Sequence, residues 1–186
     1  MNSLDYYKLK YSLQDDPILK ADELLRMDER LKVFKQKTAT GEMRIMELDD
    51  FQRAICKVQL IPPVPSNVKT VFDGAKRLFI FGYFEYYFFN ISLHYLFLAV
   101  ESALRNKHIT LFGESEHFIK LGKAIHDLVK KGVIHNDDKP LYDNALKLRN
   151  AMSHLTQLTI LPASQVLFER TAQSINQLYD KKGMNY

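Results

Sequence analysis

The run LFIFGYFEYYFFNISLHYLFLAV, residues 78–100, limits what this chain can fold into more than any other stretch. It is long enough to cross a bilayer, and it gathers 10 of the chain's 22 Phe and Tyr residues. Glu85, Asn90 and His94 are nevertheless spaced through its middle. An ionisable group is expensive in lipid, and tyrosine prefers the edges of a bilayer to its centre. The segment therefore predicts a helix buried on most sides, against its own chain or a second subunit, rather than a membrane span.

Such a helix needs partners, and 186 residues with 46% apolar content can supply them from one core. The single Cys56 excludes an intrachain disulfide and a cysteine-rich zinc site, which fits a reducing, cytoplasmic setting. MNSLDYYKLK at the start is polar and has no apolar core, so a secretory leader is not expected. Residues 1–60 hold 11 basic and 11 acidic side chains, whereas residues 61–186 hold 15 and 11, so the net charge of +4 lies wholly in the later part. That excess is compatible with an anionic partner such as nucleic acid, and equally with plain solubility.

Three prolines in IPPVPSN, residues 61–67, form a turn that forbids a continuing helix and divides the chain. Before it, DPILKADELLRMDERLKVFKQ predicts a helix over residues 16–36, with Pro17 near its start and apolar residues at 24, 27, 31 and 34. After a TATGE turn, MELDDFQRAICKVQL predicts a shorter helix. Residues 1–60 thus read as a helical N-terminal extension packed on the main domain or on a partner.

Beyond the prolines the signals are helical. The run from Val68 to Asn106 has an internal weak point at Gly82, so it is two helices or one bent helix. ESEHFIKLGKAIHDLVKKG aligns Phe118, Leu121, Ile125 and Leu128 and stops at Gly132. NDDKPLYDNALKLRNAMSHL opens on Asp caps and an early proline, with Leu141, Ala145, Leu148, Met152 and Leu155 as its apolar stripe. PASQVLFERTAQSINQLYDKKG does the same with Phe168, Ala172, Ile175 and Tyr179. LTILP, residues 158–162, can extend briefly but does not make a sheet. The predicted class is all-α: a bundle of four to five core helices over residues 68–186, the aromatic helix its spine, with the helical extension added.

LKLRNAMSHLTQL, residues 146–158, carries the chemistry. Asn150 and His154 are i and i+4, one above the other, and Arg149 and Ser153 form the neighbouring pair. Arg149 and His154 differ by about 140° round a regular helix. They share a substrate only if the Arg side chain wraps round, the helix loosens near His154, or a second subunit completes the pocket. A guanidinium suits phosphate oxygens, and an imidazole titrates near neutrality. Together they suit RNA cleavage without a metal. His154 takes the proton of the ribose 2′-hydroxyl as it attacks the adjacent phosphorus, or gives one to the leaving oxygen. Arg149 neutralises charge on the equatorial oxygens, Asn150 orients His154 or holds an oxygen, and Ser153 adds a hydrogen bond. DNA lacks that internal nucleophile. The competing reading of the same residues is surface ion pairing and helix capping.

The remaining polar residues say less. His108, His117, His126 and His135 have no Cys or carboxylate arrangement that specifies a metal, and neither metal nor cofactor is expected. His94 reads as a hydrogen-bonded core or interface group. Lys120, Lys123, Lys130, Lys131 and Lys147 either flank an RNA path or are ordinary solvated lysines.

The run LRNAMSHL resembles the signature of the HEPN superfamily (higher eukaryotes and prokaryotes nucleotide-binding domain): an Arg, a polar residue, a few intervening residues, then His, on a late helix of an all-helical bundle. Arg149 matches the motif Arg, Asn150 the polar position and His154 the His, with four residues between. FLAVESALRNK looks like the end of the family's first core helix, with Glu101 at an acidic position near the site; HFIKLGKAIHDLVKKGVI looks like the next helix and its turn, and residues 164–180 like the closing helix. The resemblance covers about residues 68–180 and leaves residues 1–60 outside. It implies a metal-independent endoribonuclease, a homodimer whose two motifs face a shared cleft, in a toxin–antitoxin or antiviral system with an antitoxin or other regulatory protein as a partner. The alternative is a relative that binds RNA or a nucleotide without cutting, or that only dimerises, although the retained Arg, Asn and His favour activity. Glu101 is then a buttress for Arg149 or His154, or simply the helix ion-pair partner of Arg105.

Overall fold

The computed structural model describes residues 25–38, 40–113, 119–153 and 165–180, with the backbone alone at 151–153. The class is all-α, with one small hairpin. In chain order the described elements are β1 (Lys35–Lys37), β2 (Met43–Ile45), α1 (Leu48–Cys56), α2 (Ser66–Phe81), α3 (Tyr87–Phe112), α4 (Leu121–Lys130), α5 (Lys139–Ser153) and α6 (Gln165–Tyr179). No helix among the described residues is long and apolar enough to cross a membrane.

The aromatic run resolves into two helices. Pro65 sits just before α2, where its missing N–H costs nothing, and Val68, Phe72, Ala75 and Phe79 face inward at helical spacing. Gly82 ends α2, and a Cβ there would stand 2.7 Å from the Phe89 ring, so only glycine lets the corner close against α3. Helix α3 then runs for 26 residues, about 39 Å at 1.5 Å per residue. Its buried positions recur at Phe89, Leu93, Leu96, Val100, Ala103 and Leu104, and it packs on α2, α4, α5 and α6. Gly113 stops it in the left-handed conformation (φ 67°), its N–H donating to the Ile109 carbonyl.

Hydrogen bonds fix how neighbours sit on this spine. Ser92 Oγ donates to the Ala75 carbonyl on α2 at 2.8 Å, and Tyr179 Oη on α6 donates to the Ala103 carbonyl at 2.9 Å. Edge-to-face rings add specificity: Phe79 lies 5.1 Å from Phe89 and 5.4 Å from Phe168. Such pairs contribute about 0.5–1.5 kcal/mol beyond burial.

The N-terminal part departs from the sequence expectation. The helix expected to reach Gln36 is replaced by a 3₁₀ turn at Glu29–Val33 followed by β1; the residues before 25 lie outside those described. The cause is local competition for backbone groups. Asp28 accepts from the Arg30 N–H at 3.0 Å, and Met46 N–H donates across the hairpin to the Phe34 carbonyl at 3.1 Å. Thr38 and Gly41 (φ 92°) close the hairpin, in the register Lys35↔Ile45. A short hairpin thus stands where the end of a helix was expected.

This hairpin and α1 do not stand apart. Leu31, Phe51 and Ile55 belong to the same continuous core as Phe72, Leu104, Ile125 and Ile175. In α4, Leu121, Ile125 and Leu128 face that core as expected, and Gly132 (φ 76°) follows its end. Phe118, expected on the same face, lies outside the described residues, as does LTILP. Phe168, Ala172, Ile175 and Tyr179 are buried on α6 as the spacing predicts.

Candidate functional site

Helix α5 determines where Arg149 points. His135 caps the 3₁₀ turn Asn136–Asp138 that leads into α5. Pro140 lies in the first turn of α5, where it is tolerated. The expected apolar stripe is then displaced by one residue: Leu141 and Leu148 are 43% and 37% exposed, whereas Tyr142 is 2% exposed. A tyrosine ring outweighs a leucine in buried area, and its hydroxyl finds a partner in the Ser174 carbonyl at 2.9 Å. One residue is about 100° of helix. The inward face is thus Tyr142, Ala145, Leu146 and Arg149, which aims the guanidinium at α3. The side chain of Met152 and all of Leu155 lie outside the described residues.

Glu101 of α3 receives it. Its Oε2 stands 2.6 Å from Arg149 Nη2, while its Oε1 accepts from Arg105 Nε at 2.9 Å. The two pairings weighed for Glu101 therefore coexist. Arg105 in turn donates to the Ile119 carbonyl at 2.7 Å, anchoring the segment before α4. The Glu101 side chain is 12% exposed, against 31% for Arg149 and 33% for Arg105. A nearly buried carboxylate is thus flanked by two guanidiniums that reach solvent, leaving a local excess of positive charge.

Of the other sequence candidates, Asn150 is exposed and its Oδ1 accepts from Arg149 Nη1 at 2.9 Å. Lys147 is exposed and lies about 200° round α5 from Arg149, so the helix does not bring it to the cluster. Ser153 closes α5, its side chain outside the described residues, and His154 follows outside them altogether. Among the described residues no group of three or more His, Cys, Asp and Glu is placed to hold a metal.

One residue read from the sequence as a hydrogen-bonded core or interface group shares the face of α3 that carries Glu101. His94 is seven residues, two turns, before Glu101 on α3, hence on the same face within about 20°. Its pKa is lowered from the ordinary histidine value by partial burial first and by the Arg149 charge second, with Glu101 opposing. The seven-residue spacing was the signal that could have found it. One turn earlier, Asn90 has both side-chain amide atoms buried without a hydrogen-bond partner.

A cleft beside α5 has a different character. It encloses about 120 Å³ between α3, α5 and α6, and is lined by Phe97, Val100, Leu141, Tyr142, Leu148 and Leu167 among others. The Glu101–Arg149 cluster is outside it.

What the fold and cluster define is an all-α bundle with an Arg–Glu–Arg bridge between its spine and neighbouring helices. Set against known proteins, the chain matches no family model, no curated protein and no solved structure.

Proposed function

We propose that this chain is a metal-independent endoribonuclease of the HEPN type, cutting RNA by 2′-hydroxyl attack with Arg149, Asn150 and His154 at a site shared by two copies. The observation that carries the reading is the Arg149 side chain, fixed across two helices by Glu101 at 2.6 Å yet 31% exposed. A guanidinium held in this way is already oriented, so little entropy is lost when it meets a phosphate, whose oxygens suit its planar fork. Arg149 neutralises the charge gathering on phosphorus oxygens, Asn150 keeps the guanidinium plane in place, and His154 moves the proton. The products are a 2′,3′-cyclic phosphate on one fragment and a 5′-hydroxyl on the other.

The test is incubation of mixed RNA with excess chelator, comparing wild type with Arg149→Ala and His154→Ala and assigning the new termini. Cleavage by the wild type, lost in both variants, is expected. Undiminished cleavage by both variants, or intact RNA with every protein, removes the catalytic reading. A second reading, a module that binds RNA or a nucleotide without cutting, draws on the same ion pair, because Glu101 already offsets part of the Arg149 charge. It predicts retention of intact RNA that weakens in Arg149→Ala. An antitoxin or other regulatory partner belongs to the ribonuclease reading, as the protein that would cover the site.

A further inference from the structure

We propose that the outer face of the α2–α3 hairpin is where two copies of this chain join, about a two-fold axis that sets Asp73 of each against Arg77 of the other. None of the residues of this face belongs to the Arg149 cluster, and the contact holds whether or not RNA is cut.

The face follows from how the two helices pair. Phe81 and Phe88 have ring centroids 6.1 Å apart, and Tyr95 lies against Gly74, where a Cβ would stand 3.4 Å from the ring. These pairs set α2 and α3 antiparallel and side by side. Their inner faces fill the core, through Val68, Phe72 and Phe79 on α2 and Phe89, Leu93 and Leu96 on α3. Their outer faces are apolar as well. Gly74, Leu78 and Phe81 follow one another on α2 at spacings of 4 and 3, and Phe88, Ile91, Tyr95 and Leu98 on α3 at 3, 4 and 3. Phe81, Ile91 and Tyr95 are 53%, 42% and 39% exposed, while Leu78, Phe88 and Leu98 are half-buried, and all six lie outside the continuous core. At about 150–250 Å² per large side chain, roughly 400 Å² of apolar surface is left in one patch, a size that marks an interaction site.

Spacing, charge and area together choose a second copy as the occupant. Rows at spacings of 3 and 4 are what interlocking helices present to each other, and two copies of one face meet with matching rows. The rim supplies the charge. Asp73 and Arg77 are exposed, four residues apart, each one position before a member of the α2 row. Asp73 has only Lys76 near it, at 3.9 Å, and Arg77 has no partner among the described residues. When two copies of α2 cross antiparallel, residue 73 of one meets residue 77 of the other, and both contacts are attractive. Ala75, midway between the two charges, accepts its hydrogen bond from Ser92 of α3, so the same axis sets Ile91 of one copy against Tyr95 of the other. Two such patches, at an apolar share of about 60%, make roughly 1,200 Å² of total buried surface, the lower end for specific complexes.

Sedimentation of the full chain across the micromolar range, without RNA, tests this contact. The wild type is expected to reach a dimer. Ile91→Glu places a charge in the middle of the patch, and is expected to raise the dimer dissociation constant by about 100-fold or more at unchanged helix content. Should Ile91→Glu fail to fold, the rim decides. Asp73→Arg and Arg77→Asp each set like charges across the axis, and each alone is expected to associate about 10-fold more weakly than wild type. Mixed together, they are expected to form a heterodimer in which both contacts are attractive again. A monomeric wild type, a folded Ile91→Glu that dimerises as well as wild type, or a mixture that gains nothing over the separate variants overturns the contact. Intact RNA in the cleavage assay removes the ribonuclease reading and leaves the contact standing.

Discussion

At the scale of single residues, Glu101 is the hinge of the site. One carboxylate serves two guanidiniums, but the environments differ: Arg149 arrives from another helix, whereas Arg105 is the i+4 neighbour on α3. An i,i+4 pair on a helix surface is worth about 0.2–0.5 kcal/mol. Both pairs use the same nearly buried carboxylate, but only the Arg149 pair ties α5 to α3, and loss of either of its members leaves the other in a poor setting. A double-mutant cycle with Glu101→Gln and Arg149→Met, read by urea unfolding, is expected to give a coupling of about 1–2 kcal/mol. The matching cycle with Arg105→Met is expected to give less than half of that. Equal couplings would mean that the inter-helix bridge is no better held than a surface pair. Arg149→Lys is a poor substitute in either role, since a point charge cannot address a carboxylate and a phosphate with one rigid fork.

At the scale of elements, the orientation of α5 decides whether the chemistry is coherent. With Tyr142 inward, Arg149 meets Glu101; with Leu141 and Leu148 inward, it would face elsewhere. The two orientations predict opposite mutational costs. Tyr142→Ala is expected to cost about 3–5 kcal/mol, by lost burial and by the Ser174 carbonyl left without its donor, while Leu148→Gln stays within about 0.5 kcal/mol. Chemical denaturation of both variants checks this, and the reverse order would sink the assigned face. Periodicity made α2, α3, α4 and α6 legible because one residue type, large and apolar, recurs on a single face with no rival. In α5 it did not, because two stripes one residue apart were both plausible by spacing and only the tyrosine hydroxyl's partner on α6 separates them. The N-terminal hairpin was hidden for a related reason: Leu31 and Phe34 have helical spacing, but Asp28 and the partner strand claim the backbone groups a helix would need. At the candidate site, Arg149 and Asn150 stand out in their local run, whereas only the packing of α3 on α5 brings Arg149 to Glu101.

At the scale of the whole molecule, Asp28 joins the N-terminal part to the bundle and Asp50 braces the N-terminal part itself. The buried Asp28 accepts from Tyr86 N–H at the start of α3 at 3.0 Å and from Arg30, whose guanidinium also reaches Glu85 and covers the Tyr86 ring at 4.7 Å. Asp50 takes both Arg44 nitrogens, at 2.7 and 2.8 Å, tying β2 to α1. Hydrogen bonding from Arg44 holds the Asp50 carboxyl far below its ordinary range, against partial desolvation. Burial alone would raise Asp28, but the bonds from Arg30 and Tyr86 outweigh it and lower that carboxyl too. In the unfolded chain each titrates near about 3.9. Between that value and the lower folded one, the unfolded state binds more protons, so the stability these groups contribute is fully present above about pH 4 and is lost as the pH falls below it. Asp28→Asn and Asp50→Asn are therefore expected to be less stable than wild type at neutral pH and to converge on it below about pH 4. Urea unfolding at a series of pH values measures the gap. A gap that stays constant down to about pH 3 would show that the aspartates act by shape rather than by charge. Because Phe51 and Ile55 complete the same core as Phe72 and Ile175, the acid-induced loss should appear as one weakened transition of the whole chain rather than as release of a separate N-terminal unit.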